Sequence, residues 1–203
     1  AVLIATGAHY RKLGIPGETE LVGVNVHFCA TCDGAFYKDK EVLVIGGGNS
    51  AFEEGLFLTK FVSHVTIVTH SADFKASQIL QESVARREDM TTIKNHAVQA
   101  FVIDDGELAA VRVLDRETDQ EKAWHPDGVF VFIGVEPNSD FLPAEIEIDR
   151  QGFIITDDTM QSSIKGFFAA GDVRQGATAQ AASAAGEGAA VALMMRDYLR
   201  TAS

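Results

Sequence analysis

Cys29-Ala30-Thr31-Cys32-Asp33-Gly34 sets two thiols three residues apart, and they are the only cysteines among 203 residues. At this spacing a local turn can bring both sulfurs within bonding distance. A dithiol that cycles needs an electron source. Soon afterwards the chain reads Val42-Leu43-Val44-Ile45-Gly46-Gly47-Gly48-Asn49-Ser50-Ala51, a glycine-rich turn of the dinucleotide-binding kind. Their adjacency suggests reduction of a disulfide at the expense of a pyridine nucleotide. Asp33 is placed to shuttle the proton that thiol–disulfide exchange must handle, although Asp-Gly also suits a plain turn or cap. Zinc is the competing use of the pair. His27 would be a third ligand and His64, His70, His96 or His125 a fourth, but no second ligand pair has metal-type spacing.

Gly46, Gly48 and Ala51 fit a GxGxxG/A turn between an apolar run and a helical pattern. Gly46 permits the tight turn, Gly48 lets a pyrophosphate approach the backbone, and Ala51 allows close helix–strand packing. Asn49 and Ser50 open the helix, whose free N–H groups face the phosphates. Small residues also serve packing alone, so the strand–turn–helix context carries the reading. The choice of dinucleotide rests about 20 residues further on, at the end of the second strand. There the sequence is Val68-Thr69-His70-Ser71-Ala72-Asp73-Phe74-Lys75, with no acid at Thr69 and no arginine in the stretch. His70, Ser71 and Lys75 can bond a 2′-phosphate, which favours NADPH over NADH; an ordinary solvated loop is the alternative.

Small residues gather again near the C-terminus. Gly166-Phe167-Phe168-Ala169-Ala170-Gly171-Asp172-Val173 is followed by Thr178-Ala179-Gln180-Ala181-Ala182-Ser183-Ala184-Ala185-Gly186-Glu187-Gly188. Something packs close to that backbone. It is either another backbone or a flat cofactor whose negative charge a helix N-terminus would stabilise. The residues by themselves favour packing.

The elements that must position these groups alternate in type. Residues 1–5 read as a strand ended by Thr6-Gly7. Residues 41–45, 50–60 and 63–69 read as strand, helix and strand, a compact βαβ unit with parallel strands. Residues 76–87 form a helix on the spacing of Ile79, Leu80 and Val84. Residues 100–103, 109–114 and 121–124 alternate as short strands, joined by Asp104-Asp105-Gly106 and by residues 116–120. Strands at 129–133, 153–155 and 166–170 and a helix from about 178 to 199 complete an α/β pattern. Apolar content of 46% with 23% charged residues is ordinary for a globular protein. A net charge of −12 argues against general affinity for nucleic acid or anionic membrane. No apolar run reaches the length of a membrane span. The first residues lack the charged start of a signal peptide, so the expected location is cytoplasmic.

Ala5-Thr6-Gly7, Cys29 to Gly34, Gly46 to Glu54, Gly134 to Asn138, Gly166 to Val173 and Gln180-Ala181 together resemble the low-molecular-weight thioredoxin reductases and the related flavoprotein subunit of alkyl hydroperoxide reductase. The likeness runs in order through nearly the whole chain. It implies a Rossmann-like, three-layer nucleotide-binding domain at residues 12–137 that carries the cysteines. That domain would be inserted in an FAD-binding domain made of residues 1–11 and 138–203. Electrons would pass from NADPH to FAD, then to the Cys29–Cys32 disulfide, then to thioredoxin or a thioredoxin-like protein. Cys32 would be the flavin-proximal sulfur, Cys29 the one that attacks the partner's disulfide, and Asp33 the acid–base group. The cofactor-binding residues implied are Thr6, Gly7, Gly46, Gly48, Asn49, Ser50, Ala51, Glu54, His70, Ser71, Lys75, Gly134, Gly171, Asp172, Gln180 and Ala181. Among these, Asp172 would contact the FAD sugar–phosphate chain and the Gln180–Ala181 backbone the flavin ring. A homodimer is also implied, as is rotation of one domain against the other about the crossings near residues 11–14 and 134–138.

The chain departs from that pattern in places. Thioredoxin reductases usually carry HRRxxxR for the 2′-phosphate, whereas the aligned stretch here keeps only Lys75 as its basic residue. The peroxide-reductase relatives bind NADH through an acidic residue, which Thr69 does not supply. Ala179 stands where relatives carry a basic residue next to the flavin. The alternative readings are an NADH-dependent reductase feeding a peroxiredoxin, a relative with a non-nicotinamide donor, and a non-catalytic nucleotide-binding or zinc-stabilised module. The family's N-terminal glycine-rich turn for FAD has no counterpart in this sequence, so the chain is expected to be a fragment holding part of an FAD site.

Overall fold

The computed structural model describes residues 1–201. In chain order the elements are β1 (Val2–Ile4), β2 (Ala8–Tyr10), α1 (Glu18–Leu21), β3 (Val26–His27), α2 (Ala30–Asp33), a 3-10 turn (Gly34–Tyr37), β4 (Glu41–Ile45) and α3 (Asn49–Leu58). There follow β5 (His64–Val68), α4 (Gln78–Ala85), β6 (Met90–Ile93), β7 (His96–Asp104), β8 (Glu107–Asp115) and β9 (Gln120–Trp124). The last are β10 (Gly128–Val131), β11 (Val135–Pro137), β12 (Phe167–Ala169) and α5 (Ala181–Thr201). They form two units: Lys12–Ile133, and Ala1–Arg11 together with the chain from Gly134 onward.

The Lys12–Ile133 unit is built on a parallel sheet of order β3-β10-β4-β5-β6. Its central strands are covered on both faces, which is why they read as apolar runs rather than alternating ones. Val42, Val44, Val65, Ile67 and Phe130 pack against Ala51, Phe52 and Leu58 of α3 and Val84 of α4. Leu43, Ile45, Val68, Val129 and Val131 pack against Phe101, Val111 and Val113 of the antiparallel β7-β8-β9 meander. The result is a three-layer α/β fold of Rossmann type. Each large side chain buried in these layers contributes about 1.5–3 kcal/mol. Asp105 and Gly106 take φ of 49° and 84°, the left-handed pair that a tight hairpin needs. One expected core residue lies elsewhere. Ile79 is 77% exposed, and α4 turns Leu80 and Val84 inward instead.

In the other unit β1 and β12 run parallel from Val2↔Phe167 to Ile4↔Ala169. Antiparallel β2 and β11 pair through Val135↔Tyr10, Glu136↔His9 and Pro137↔Ala8. That ladder puts Gly134–Pro137 with this unit rather than at the end of a 12–137 insert. The strand expected at residues 153–155 does not form. Ile154 makes only single bridges, to Ile148 and Arg174; its apolarity reflects burial among Ile4, Ile146, Ala169 and Val173. α5 starts at Ala181 rather than 178, because Ala179 at φ 53° cannot continue a right-handed helix. Among the described residues no helix is long and apolar enough to cross a membrane.

Candidate active site

β3 leaves the sheet and delivers the chain to Cys29, the N-cap of α2. Cys29 is extended at φ −142°, and its Sγ accepts the Cys32 N–H at 3.1 Å. The two cysteines are joined as a disulfide with a Cα separation of 5.3 Å, so in this state the sulfurs are not a thiolate pair for zinc. Gly34 lets the turn lie on α3, since a Cβ there would come within 2.9 Å of Leu58. The Ala30 N–H acts on the Glu54 carboxylate of α3 and favours its charged form. Burial raises the Glu54 pKa, and neighbouring Glu53 adds to the shift.

Asp33 is not a simple cap. Its Oδ2 lies 3.3 Å from Nδ1 of His27, a ring that is only 6% exposed. His27 Nε2 in turn lies 2.8 Å from the Tyr37 hydroxyl, and that hydroxyl donates to the Val24 carbonyl at 3.2 Å. Burial pushes the Tyr37 phenol up to about 12, so it stays protonated. Burial also lowers the His27 pKa, against the Asp33 carboxylate, which raises it. Sequence reasoning cast His27 only as a possible third zinc ligand. Its role beside Asp33 follows from the fold: β3 and α2 are joined by two residues, and β10 supplies Phe130 against the ring.

The glycine turn lies at the carboxyl end of β4. Gly46 has φ 156°, and a Cβ there would fall 2.4 Å from the Phe132 carbonyl oxygen and 2.9 Å from the Ala51 Cβ. Gly48 differs, because a Cβ would meet nothing within 4 Å. It is the N-cap of α3, and no side chain caps the helix. The first-turn N–H groups at Asn49, Ser50 and Ala51 are those an anion can satisfy. Asn49 Oδ1 accepts the Ser77 N–H at 2.8 Å, which ties α4 to the turn. Gly47 O accepts the N–H groups of Lys75 and Ala76 at 2.7 and 3.0 Å.

The loop after β5 therefore sits beside the turn. Thr69 is buried and its Oγ1 accepts the Ser71 N–H. His70 and Lys75 are exposed. An arginine does stand at this loop, from a distant segment: Arg116, just after β8, donates from Nη1 to the His70 carbonyl at 2.8 Å. Its backbone N–H reaches the Asn95 carbonyl, and the Asn95 N–H reaches the Ser71 carbonyl. No local sequence signal marks it, because it arrives through the meander. The open N-terminus of α3 thus has the loop that carries His70, Ser71 and Lys75 beside it, with Arg116 bonded to that loop.

In the other unit, parallel β1 and β12 end level with each other at Ile4↔Ala169, and Thr6-Gly7 and Gly171-Asp172 follow those ends. Thr6 and Asn138 exchange two bonds: the Thr6 hydroxyl donates to the Asn138 carbonyl, and Asn138 Nδ2 donates to the Thr6 carbonyl. Gly134 accepts the Arg11 N–H. Gly171, at φ 75°, donates its N–H to Glu187 Oε2 at 2.7 Å, and Glu187 is ion-paired with Arg174. Asp172 is partly exposed, and Gln180, Ala181, Ala182, Ala185 and Gly186 are bare at the start of α5. A small-residue helix N-terminus at the carboxyl end of parallel strands suits a flat, anionic group such as a flavin.

The pyridine nucleotide-disulphide oxidoreductase family model matches residues 1–188. The chain belongs to this family. It is 41% identical to thioredoxin reductase of Bacillus subtilis over 199 residues, which is 98% of this chain and 63% of that protein. It is 42% identical to thioredoxin reductase of Listeria innocua over 189 residues, covering 93% of this chain and 59% of that one. Among solved structures, thioredoxin reductase from Streptococcus pyogenes superposes with a TM-score of 0.92 at 38% identity, over 98% of this chain and 65% of that one. The chain thus spans about three-fifths of the length of these family relatives.

Proposed function

We propose that the chain is the disulfide-bearing part of an FAD- and NADPH-dependent reductase that delivers electrons to thioredoxin or a thioredoxin-like protein. One observation carries this: a bonded Cys-x-x-Cys, with a carboxylate on the next residue, shares a unit with an uncapped glycine turn. Gly46, Gly48, Asn49, Ser50 and Ala51 would hold the nucleotide pyrophosphate. His70, Ser71, Lys75 and Arg116 would face its 2′-phosphate, which is why NADPH is preferred here over NADH. Thr6, Gly7, Gly134, Gly171, Asp172, Gln180 and Ala181 would contribute to the flavin site. When bound, these groups supply the electron pair that reduces the disulfide. Cys29, as the helix N-cap, would attack the partner's disulfide; Cys32 would close the ring behind it, and Asp33 would move the proton.

The test is an anaerobic titration of the chain, supplied with FAD, by NADPH and separately by NADH, with thiols counted afterwards. Bleaching of the flavin band by NADPH, together with appearance of the two thiols, is the expected result. A bound flavin that bleaches without any new thiol would overturn the assignment of Cys29 and Cys32.

A further inference from the structure

His27, Asp33 and Tyr37 form a cluster that sequence motifs do not explain. The groups facing the imidazole are Asp33 of α2, Tyr37 of the 3-10 turn and the apolar ring of Phe130 from β10. Asp127 acts on Tyr37 electrostatically, and the Ala30 N–H acts on Glu54 of α3. The Val24 carbonyl accepts the Tyr37 O–H at 3.2 Å. With its one hydrogen given to Val24, the Tyr37 hydroxyl faces Nε2 with its oxygen, which accepts a hydrogen carried on Nε2. The remaining nitrogen, Nδ1, then faces Asp33 Oδ2 at 3.3 Å. A lone pair against a carboxylate in a buried site is unfavourable unless a proton lies between them. That proton belongs to the pair, as an imidazolium with a carboxylate or as a carboxyl group on a neutral ring.

We propose that His27 is a positioning residue that, with Asp33, the residue after Cys32, holds one shared proton while the disulfide is closed and returns it to the Cys32 sulfur when the disulfide opens. The inference rests on the reading of Asp33 as the proton carrier. In the closing step Cys29 is already bonded to one sulfur of a partner protein disulfide. The Cys32 S–H gives its proton to the His27–Asp33 pair, and the Cys32 thiolate attacks the Cys29 sulfur. The Cys29–Cys32 bond forms, the bond from Cys29 to the partner breaks, and the partner leaves as a thiolate that takes a proton from water. Two electrons have then moved from the dithiol to the partner, and the pair is left in the protonated state proposed for the closed disulfide. Burial, which lowers the His27 pKa against the pull of Asp33, keeps that proton easy to release.

The chain is reduced with a phosphine, freed of reagent, and mixed with an aromatic disulfide while release of the coloured thiol is followed. Cys29 attack gives the first phase, and closure by Cys32 gives the second. His27→Gln retains a donor toward Tyr37 but cannot take up a proton. It should leave the first phase unchanged and slow the second by about tenfold or more near neutral pH. Its second-phase rate should then rise with pH where the wild type is flat, between about pH 6 and 8. Asp33→Asn should slow the second phase as well, and adding His27→Gln to it should change nothing further. A second phase in His27→Gln with wild-type rate and pH profile overturns the shared proton alone. An unchanged second phase in Asp33→Asn overturns the reading of Asp33 and the inference with it. The imidazole 15N resonances of the oxidised wild-type chain give a check independent of any variant. Nε2 protonated and Nδ1 in a shared-proton bond is expected; a bare Nε2, or an Nδ1 with neither proton nor partner, refutes the proposal.

Discussion

Gly48→Ala separates what the glycine turn does for the fold from what it does for a ligand. Gly48 sits at φ −96°, ψ −178°, a conformation alanine adopts freely. A Cβ there meets nothing within 4 Å. Alanine is a poorer N-cap than glycine by about 0.5–1 kcal/mol, and the lost freedom of the unfolded chain returns about the same. Folding stability should therefore stay within about 0.5 kcal/mol of wild type. The added methyl projects into the space where a pyrophosphate would approach the first turn of α3. A ligand held there must retreat from the N–H groups, and a loss of about 1.4 kcal/mol or more is a tenfold or greater fall in affinity. Gly46→Ala is the contrasting case: φ is 156° and the methyl would lie 2.4 Å from the Phe132 carbonyl oxygen. That change should destabilise by about 2–4 kcal/mol. Denaturant unfolding, paired with calorimetric titration by NADPH, reads both quantities. Unchanged NADPH affinity in a stably folded Gly48→Ala chain would refute the assignment of this turn to the nucleotide.

Other perturbations test other parts of the molecule. Glu18 is 2% exposed and accepts the N–H groups of Leu13 and Gly14 at 2.9 and 2.8 Å; Glu18→Ala strands both donors and should cost about 2–4 kcal/mol in urea unfolding, with Glu18→Gln closer to wild type. Arg116→Ala should weaken NADPH binding by about tenfold while leaving NADH nearly unchanged, so that the ratio of the two dissociation constants, measured by titration, reports the 2′-phosphate contact. The Arg174 guanidinium and the Gly171 N–H hold the Glu187 carboxyl below its usual pKa. A depressed folded-state pKa adds stability that is present above the ordinary carboxylate value, about 4.5, and lost as pH falls below it. Glu187→Gln should accordingly flatten the acid limb of thermal unfolding between about pH 5 and 3, and an unaltered limb would count against the ion pair as a stabilising contact.

The parts of this chain that were legible in its sequence are those whose physics is local. The glycine turn declares itself because one backbone position needs a left-handed or cramped conformation, the next needs open space, and the helix behind needs a small residue. β4, α3 and β5 were expected within one or two residues of their ends because a doubly covered strand must be apolar throughout. The Asp105-Gly106 hairpin follows from the φ values its turn demands. What was not legible depends on partners far away in sequence. β2 and β11 are three residues each and have no pattern until Val135–Pro137 lie against Ala8–Tyr10. Ile79 fits a helical period yet faces solvent, because periodicity fixes a face but not which neighbour covers it. Ile154 is apolar enough for a strand, but without a ladder it is only core. The same limit governs the candidate site. A reading that looks for arginine within the loop after β5 finds none, whereas the fold carries Arg116 to His70 across the meander. Likewise His27 has no motif of its own, and only the return of α2 over β3 sets it against Asp33. Motifs thus mark where backbone geometry is special, while the charges and protons that tune a site come from side chains that only tertiary structure can bring there.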